Sequence, residues 1–338
     1  MIDLLVAGGG PAGLATAIHA ARAGLRVVVA EPRPGPIDKA CGEGLMPGGA
    51  AALRELGVQL TGQPLRGIRY LDDRRQAEAR FHGPPGLGVR RTDLHTALAH
   101  RAERLGVPVL PVRVDGVRQA GDRVHAAGLE ARYLAAADGL HSPIRRALGL
   151  DRPVHGTPRR HGLRRHFAVA PWSDCVEVHW SERAEAYVTP LTPALVGVAV
   201  LTAGRGSFEQ HLAAFPVLAE RLRGAAAGPV RGAGPMRQRA RTRVAGRVLL
   251  VGDAAGYVDA LTGEGLSLSV SGAAALVACV RADRPEAYER AWRRATRRHR
   301  ALTQALLWTR QRSVLAPYVV PAASRLPLLF TGLVNGLS

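Results

Sequence analysis

The sequence predicts an α/β fold: a parallel, doubly wound sheet, an antiparallel sheet inserted in it as a second domain, and C-terminal helices. Three observations predict this. A strand–turn–helix–strand unit opens the chain. Short strand-like segments separated by Pro and Gly occupy residues 151–240. A buried-strand pattern then returns at 247–252, ahead of a helix over 264–281. At 338 residues the chain has room for about two domains of ~100–200 residues each.

The elements follow in order. Residues 2–7, Ile-Asp-Leu-Leu-Val-Ala, read as a buried strand, 11–23 as a helix with Leu14, Ile18 and Ala21 on one face, and 25–30 as a second buried strand. A short helix over 47–57 closes on Gly57, and residues 64–82 alternate like exposed strands. A helix is expected over 92–105, with strands near 107–114, 122–127 and 131–136. Because the first pattern resumes after residue 240, the parallel domain is discontinuous. It takes 1–63, 83–150 and 241–284, a substrate domain takes 64–82 and 151–240, and residues 285–338 form a C-terminal helical segment.

Gly8-Gly9-Gly10-Pro11-Ala12-Gly13 lies between the first strand and its helix and contains G-x-G-x-x-G. Gly8 permits the tight turn, Gly10 lets backbone approach a pyrophosphate, and Gly13 allows close helix–strand packing. Pro11 and Ala12 open the helix whose N-terminus faces the anion. Glu31 ends the second strand about 20 residues on, where a carboxylate accepts from ribose hydroxyls. Arg33 beside it either meets the adenosine phosphate or is solvated. The turn itself serves FAD and NAD equally.

The formal net charge is +19, and Lys39 is the only lysine among 46 basic residues. Arginine, alanine and glycine abundance fits GC-rich codon usage with a solvated basic surface, so no nucleic-acid partner is expected. Such a surface would still steer an anionic NADPH. Cys41, Cys175 and Cys279 are too few and too scattered for a disulfide framework or a metal site. With no secretion signal and no ~18-residue apolar run, a cytoplasmic protein is expected, monomeric or homodimeric. Six arginines between Arg290 and Arg300 crowd one helix, as a solvated face or as a patch for NADPH or a membrane surface. Residues 314–335 are mostly apolar but broken by prolines. They either cap a substrate tunnel or rest on a lipid surface as a peripheral contact.

Three further segments resemble the flavoprotein superfamily of para-hydroxybenzoate hydroxylase, geranylgeranyl reductases and flavin-dependent halogenases. Ala137-Asp138-Gly139-Leu140-His141-Ser142-Pro143 is similar to its Asp-Gly motif. Arg91 fits an Arg element that opens a helix beside the ribityl chain. Val251-Gly252-Asp253-Ala254-Ala255-Gly256 is similar to the Gly-Asp motif. The resemblance implies a Rossmann-type FAD-binding domain in which Asp253 meets a ribityl hydroxyl. The helix N-terminus near Gly263 and Gly265 would approach the flavin pyrimidine edge. A carboxylate directly after a buried strand needs a hydrogen-bond partner, and a ligand hydroxyl would be one.

Within that superfamily Leu261-Thr262-Gly263-Glu264-Gly265 and Cys41-Gly42-Glu43-Gly44 are similar to the reductases, whose Tyr-x-Trp-x-Phe-Pro signature is degraded here to Tyr187 and Pro190. The favoured expectation is an NAD(P)H-dependent monooxygenase that hydroxylates an aromatic, polyketide-type secondary metabolite through a flavin C4a-hydroperoxide. Reduction of an isoprenoid double bond is the alternative, and a flavin-binding protein without turnover is the alternative of another class. Either enzyme takes a hydrophobic or aromatic small molecule. Cys41, Glu43 and Glu264 are the candidate proton donors. His166, His179 and Tyr187, on expected strands of the substrate domain, are the candidate substrate contacts.

Overall fold

The structure is a computed structural model. It describes residues 1–338 except 155, 157, 264, 313 and 338, so the candidate Glu264 lies outside the described residues.

The first strand, β1 (Ile2–Ala7), sits at the centre of a sheet. On one side it pairs in parallel with β2 (Val27–Ala30), which in turn pairs with Val109–Leu110. On the other side it pairs with Leu129–Ala136, which pairs with Val248–Leu250. Leu4, Leu5, Val29, Leu134 and Leu249 are fully buried, as a sheet covered on both faces requires. The first helix, α1 (Pro11–Arg22), crosses from β1 to β2 with Pro11 in its first turn. The expected strand over 107–114 shrinks to two residues, because Pro108 and Pro111 flank it and donate no ladder hydrogen bond. Two more helices, α2 (Pro47–Glu55) and α3 (Arg91–Arg104), complete this half with the apolar helix Gly265–Arg281.

The second sheet runs His161–Ala168, Leu195–Thr202, Ala184–Thr192, Cys175–Trp180, Gly67–Leu71, Gln76–Arg80, with short edge strands beyond His161–Ala168. Among the described residues its one parallel pairing joins Cys175–Trp180 to Gly67–Leu71. One face packs on Phe208, Phe215 and Leu218. The strands at 67–80 are not exposed as their alternation suggested. Ala77 and Ala79 are buried under Phe330 and Val334 of the last helix, Pro327–Leu337. The long helix Tyr288–Arg310 and the short helix Val319–Arg325 precede that helix. In the arginine-rich stretch, Arg290, Arg293, Arg294, Arg297 and Arg298 are exposed, while Arg300 and Arg243 flank the Trp292 ring. Among the described residues no single helix is long and apolar enough to cross a membrane.

Candidate active site

A cleft of about 840 Å³ separates the two sheets. Its walls change character along its length, and the residues at each end show why.

The polar end is built on the glycine turn. Gly8 has φ +110, and a Cβ there would lie 2.5 Å from the Ala137 carbonyl oxygen. At Gly13 a Cβ would lie 1.8 Å from the Gly8 oxygen, so the helix can approach the strand only without a side chain. Gly10 differs: its φ is −72, and a Cβ would meet nothing nearer than Arg91 Nη2 at 4.0 Å. The protein therefore keeps open space in front of the α1 N-terminus, where unpaired backbone N–H groups favour an anion. Arg91 points into the same space. Its backbone N–H is held by Glu43 at 2.7 Å, and its Nη1 is buried with no hydrogen-bond partner among the described residues. Lys39 and Arg33 line the same end.

Glu31 sits behind Arg33. Its carboxylate accepts from Gly9 N–H at 2.8 Å and from Arg33 Nε at 2.7 Å and Nη2 at 2.8 Å. Burial pushes Glu31 up, but the Arg33 guanidinium and the Gly9 and Arg33 amides outweigh it and hold the carboxyl below its ordinary value. Thus the Arg33 guanidinium, not Glu31 itself, faces the cleft.

Asp253 follows the buried Val248–Leu250 strand and lines the cleft. Its carboxylate makes no hydrogen bond to another described residue. Burial raises it, against the charges of Lys39, Arg91 and Arg145. Gly252, at φ +63, lets this loop close on α1, since a Cβ would come within 2.5 Å of Ala12 Cβ. Asp138 and Gly139 line the cleft as well. The Asp138 carboxylate accepts from Ser142 Oγ at 2.6 Å and Ile144 N–H at 3.0 Å, which fixes the turn. Arg145, fully buried, ties this turn to the Asp253 loop by donating to the Leu140 and Ala254 carbonyls. Gly263 and Gly265 line the cleft just beyond.

An FAD fits this end on the structure's own terms. The open N-terminus at Gly10 suits its pyrophosphate, the unpaired Arg91 Nη1 suits an anionic or carbonyl acceptor, and the unpartnered Asp253 carboxylate suits a hydroxyl.

At mid-cleft stands Cys41, whose Sγ accepts from the Glu43 N–H at 3.4 Å. Burial pushes this thiol up, so it stays protonated at neutral pH. Glu43, a candidate proton donor by sequence, lines the cleft beside it with both carboxylate oxygens engaged. It is buried at φ +61, with Oε1 on the Arg91 amide and Oε2 paired with His166 Nε2 at 2.6 Å. His166 itself does not line the cleft; it is bonded to Glu43, which does. Arg164 backs this pair, 3.3 Å from His166 Nδ1 and bonded to Asp38.

The far end is apolar, lined by Ile68, Val176, Val178, Leu201, Leu261 and Phe330. Tyr187 and Thr189 line it too, but their hydroxyls are already engaged, with the Leu261 carbonyl at 3.0 Å and the Gly42 carbonyl at 2.8 Å. Their strand face, polar enough to suggest solvent, is buried. Glu185 on it binds Arg160 at 2.6 Å and Arg310, and Arg160 also reaches Asp259 at 3.0 Å. His179 is corrected. It lies on the opposite face of its strand from Val176 and Val178, near Glu177 at 3.3 Å and edge-on to Phe215, outside the cleft. Patterning also passed over Lys39, Arg145, Arg164 and Tyr257. Lys39 had a usable signal as the chain's single lysine, and Arg145 stands two residues beyond the Asp-Gly segment.

A dinucleotide turn, a flavin-sized cleft and a second sheet closing over it define a flavin-binding protein of the doubly wound α/β class. The comparisons with known proteins agree. Residues 1–196 match the family described as FAD binding domain, more than half of the chain. The chain belongs to that family, within the superfamily of FAD-dependent oxidoreductases of the para-hydroxybenzoate hydroxylase type. It is 35% identical over 191 residues to the menaquinone reductase of Mycobacterium tuberculosis, covering 50% of this chain and 46% of that protein. It is 32% identical over 228 residues to 6-methylpretetramide 4-monooxygenase of Streptomyces rimosus, covering 55% and 54%. It thus spans about half the length of these curated relatives. A solved geranylgeranyl bacteriochlorophyll reductase-like protein from Thermoplasma acidophilum has a TM-score of 0.80 over 96% of this chain and 90% of its own. Its 19% identity makes that a likeness of fold.

Proposed function

We propose that the protein reduces a carbon–carbon double bond in a long apolar, isoprenoid-type substrate, with NAD(P)H as the source of electrons. The observation that carries this reading is the apolar half of the cleft. From Cys41 outward the walls are mostly hydrocarbon, the Tyr187 and Thr189 hydroxyls are engaged by backbone carbonyls, and burial pushes the Tyr70 and Tyr257 phenols up so that they stay protonated. A phenol would find no unpaired base to bind it, whereas an alkene asks for none. The similarity to a menaquinone reductase supports the same order of preference, which reverses the one drawn from the sequence.

FAD held by the α1 N-terminus, Arg91 and Asp253 would supply the two-electron chemistry, a hydride equivalent for one alkene carbon. The other carbon needs a proton, and the protonated Cys41 Sγ holds one in the cleft wall. The Glu43 N–H directed at that sulfur orients the thiol and stabilises the thiolate left behind. Glu43 is in turn fixed by His166 and the Arg91 amide. The apolar walls exclude water from the reacting carbons.

The test is anaerobic. Protein reduced with NAD(P)H is mixed with a polyprenyl alkene, and the flavin absorbance and product mass are followed. Flavin reoxidation with a product heavier by two hydrogens is expected. Reoxidation only by O2, with a product heavier by one oxygen, would overturn the reading in favour of hydroxylation. That second reading is supported by the longer match to 6-methylpretetramide 4-monooxygenase, over 228 residues.

A further inference from the structure

The large apolar side chains that stand exposed are concentrated at one place in the fold. Trp308, Val314, Tyr318, Leu326, Leu328, Leu329 and Leu333 all lie between the end of the long helix and the last helix. Leu328 is 88% exposed, Leu329 58% and Leu333 47%. The last helix is mostly apolar, with Asn335 tied to the Arg80 carbonyl and the His82 N–H. Phe330 and Val334 face inward on Ala77 and Ala79, so the leucines on its other side have no core to join. An apolar patch of this kind marks a binding surface.

Two further observations say what covers it. First, Leu326, Leu329 and Leu333 also line the cleft, so the patch is the rim of the cleft's apolar mouth. A protein partner seated there would seal that mouth; a fluid hydrocarbon surface leaves it open. Second, the chain from Arg290 to Ser338 contains nine arginines and no Asp or Glu. Arg325 is exposed one residue before Leu326, and Arg312 stacks on the exposed Trp308 ring at 4.1 Å. Arginine and an aromatic ring beside exposed leucines match the headgroup level of an anionic bilayer.

The helical segments Ala316–Arg325 and Pro327–Gly336 meet at 104°. Each rises only about 15 Å, at 1.5 Å per residue, against a hydrocarbon core of about 30 Å. They can lie in an interface but not span it.

We propose that the bent pair of C-terminal helices docks the protein on an anionic lipid surface and that apolar substrate passes from the lipid directly into the cleft. This deepens the reading above by naming the source of the substrate, but the docking is measured without turnover. The FAD-loaded protein is sedimented with vesicles of phosphatidylcholine alone and of phosphatidylcholine mixed with phosphatidylglycerol. Two exposed positions that do not line the cleft are changed together, Tyr318→Ser and Leu328→Ser. Leu328→Trp serves as the conservative replacement.

Binding is expected to the mixed vesicles and to weaken with salt. The double variant should bind less by about tenfold for each large apolar side chain removed, with an unchanged melting temperature. Leu328→Trp should retain binding. Wild-type protein that stays in the supernatant at low salt, or double-variant binding equal to wild type, overturns the proposal. So does light scattering that shows a wild-type dimer dissociated by Leu328→Ser, since a second copy would then be the occupant. Vesicle binding without any double-bond reduction would leave the docking standing and overturn the reading of the reaction.

Discussion

Replacing Gly10 by alanine should weaken FAD binding while sparing the fold, and replacing Gly13 should damage the fold itself. Gly10 has φ −72 and ψ −178, which alanine adopts freely, and its Cβ would have no atom nearer than 4.0 Å. The apo protein should therefore be as stable as wild type, or firmer by about 0.4–1 kcal/mol through the stiffer unfolded chain. The new methyl instead occupies the approach to the α1 N-terminus. A pyrophosphate pushed away from those N–H groups should cost at least about tenfold in affinity, or ~1.4 kcal/mol. At Gly13 the same methyl would sit 1.8 Å from the Gly8 oxygen, so strand and helix must separate. Overpacking of this kind costs about 1–3 kcal/mol, a few degrees of melting temperature in a chain of this size. Thermal melts of both apo variants and FAD titration by fluorescence quenching check the pair. Gly10→Ala binding FAD as tightly as wild type would refute the pyrophosphate assignment. Gly10→Ala melting as low as Gly13→Ala would refute the claim that the space belongs to the ligand.

Cys41→Ala should slow double-bond reduction by about 10²–10⁴-fold, the usual contribution of a positioned acid, and leave flavin reduction by NAD(P)H unchanged; stopped-flow traces of the two half-reactions separate these effects. Glu185→Gln leaves Arg160 and Arg310 buried with one carboxylate fewer between them. Breaking such a cluster costs about 3–5 kcal/mol, so its urea midpoint should fall well below wild type. Glu31 is held below its ordinary value of 4.5, so the folded state binds its proton less readily than the unfolded chain. Its stabilisation is complete above pH 4.5 and is lost as pH falls through the lower folded value. Urea titrations across that window should show a shallower acid slope for Glu31→Gln, and an unchanged slope would contradict the Arg33 pairing.

The opening unit was legible because its constraints are local. A positive φ at Gly8 and a Cβ-free contact at Gly13 can be met only by the residue type that the motif displays. Asp253 was legible for a related reason: a carboxylate at the end of a buried strand needs a partner, and no described side chain or amide supplies one. His179 failed because alternation separates two strand faces without saying which one meets the cleft. Val176 and Val178 took that face and left Glu177 and His179 behind it. The face of Glu185, Tyr187 and Thr189 shows the opposite case, since Tyr187 does line the cleft. Its polarity implies solvent until Arg160 and Arg310 arrive from segments 25 and 125 residues away. Lys39 and Glu43 depend on the same kind of long-range closure. The loop that carries them follows β2 but is fixed by Asp38 to Arg164 and Glu43 to His166, both on a strand of the other sheet.

The two ends of the cleft constrain each other. The polar end gathers Lys39, Arg33, Arg91 and the α1 N-terminus opposite Asp253, a carboxylate with no hydrogen-bond partner among the described residues, so it favours an anion with hydroxyls. The apolar end would penalise any charge carried into it, because its walls are hydrocarbon and its Tyr187 and Thr189 hydroxyls already have partners. One ligand cannot satisfy both ends unless it carries an anionic, hydroxylated stretch for the first and a flat, weakly polar ring for the second, as FAD does with its diphosphate and ribityl chain leading to the flavin ring. A substrate must then meet it from the opposite side. It cannot enter through the arginine-lined end without displacing the diphosphate, so it enters through the leucine-rimmed mouth. Cys41 stands where the two approaches converge, with its proton retained by burial and its sulfur aimed by Glu43. The same geometry that places the acid therefore selects a substrate that travels through hydrocarbon.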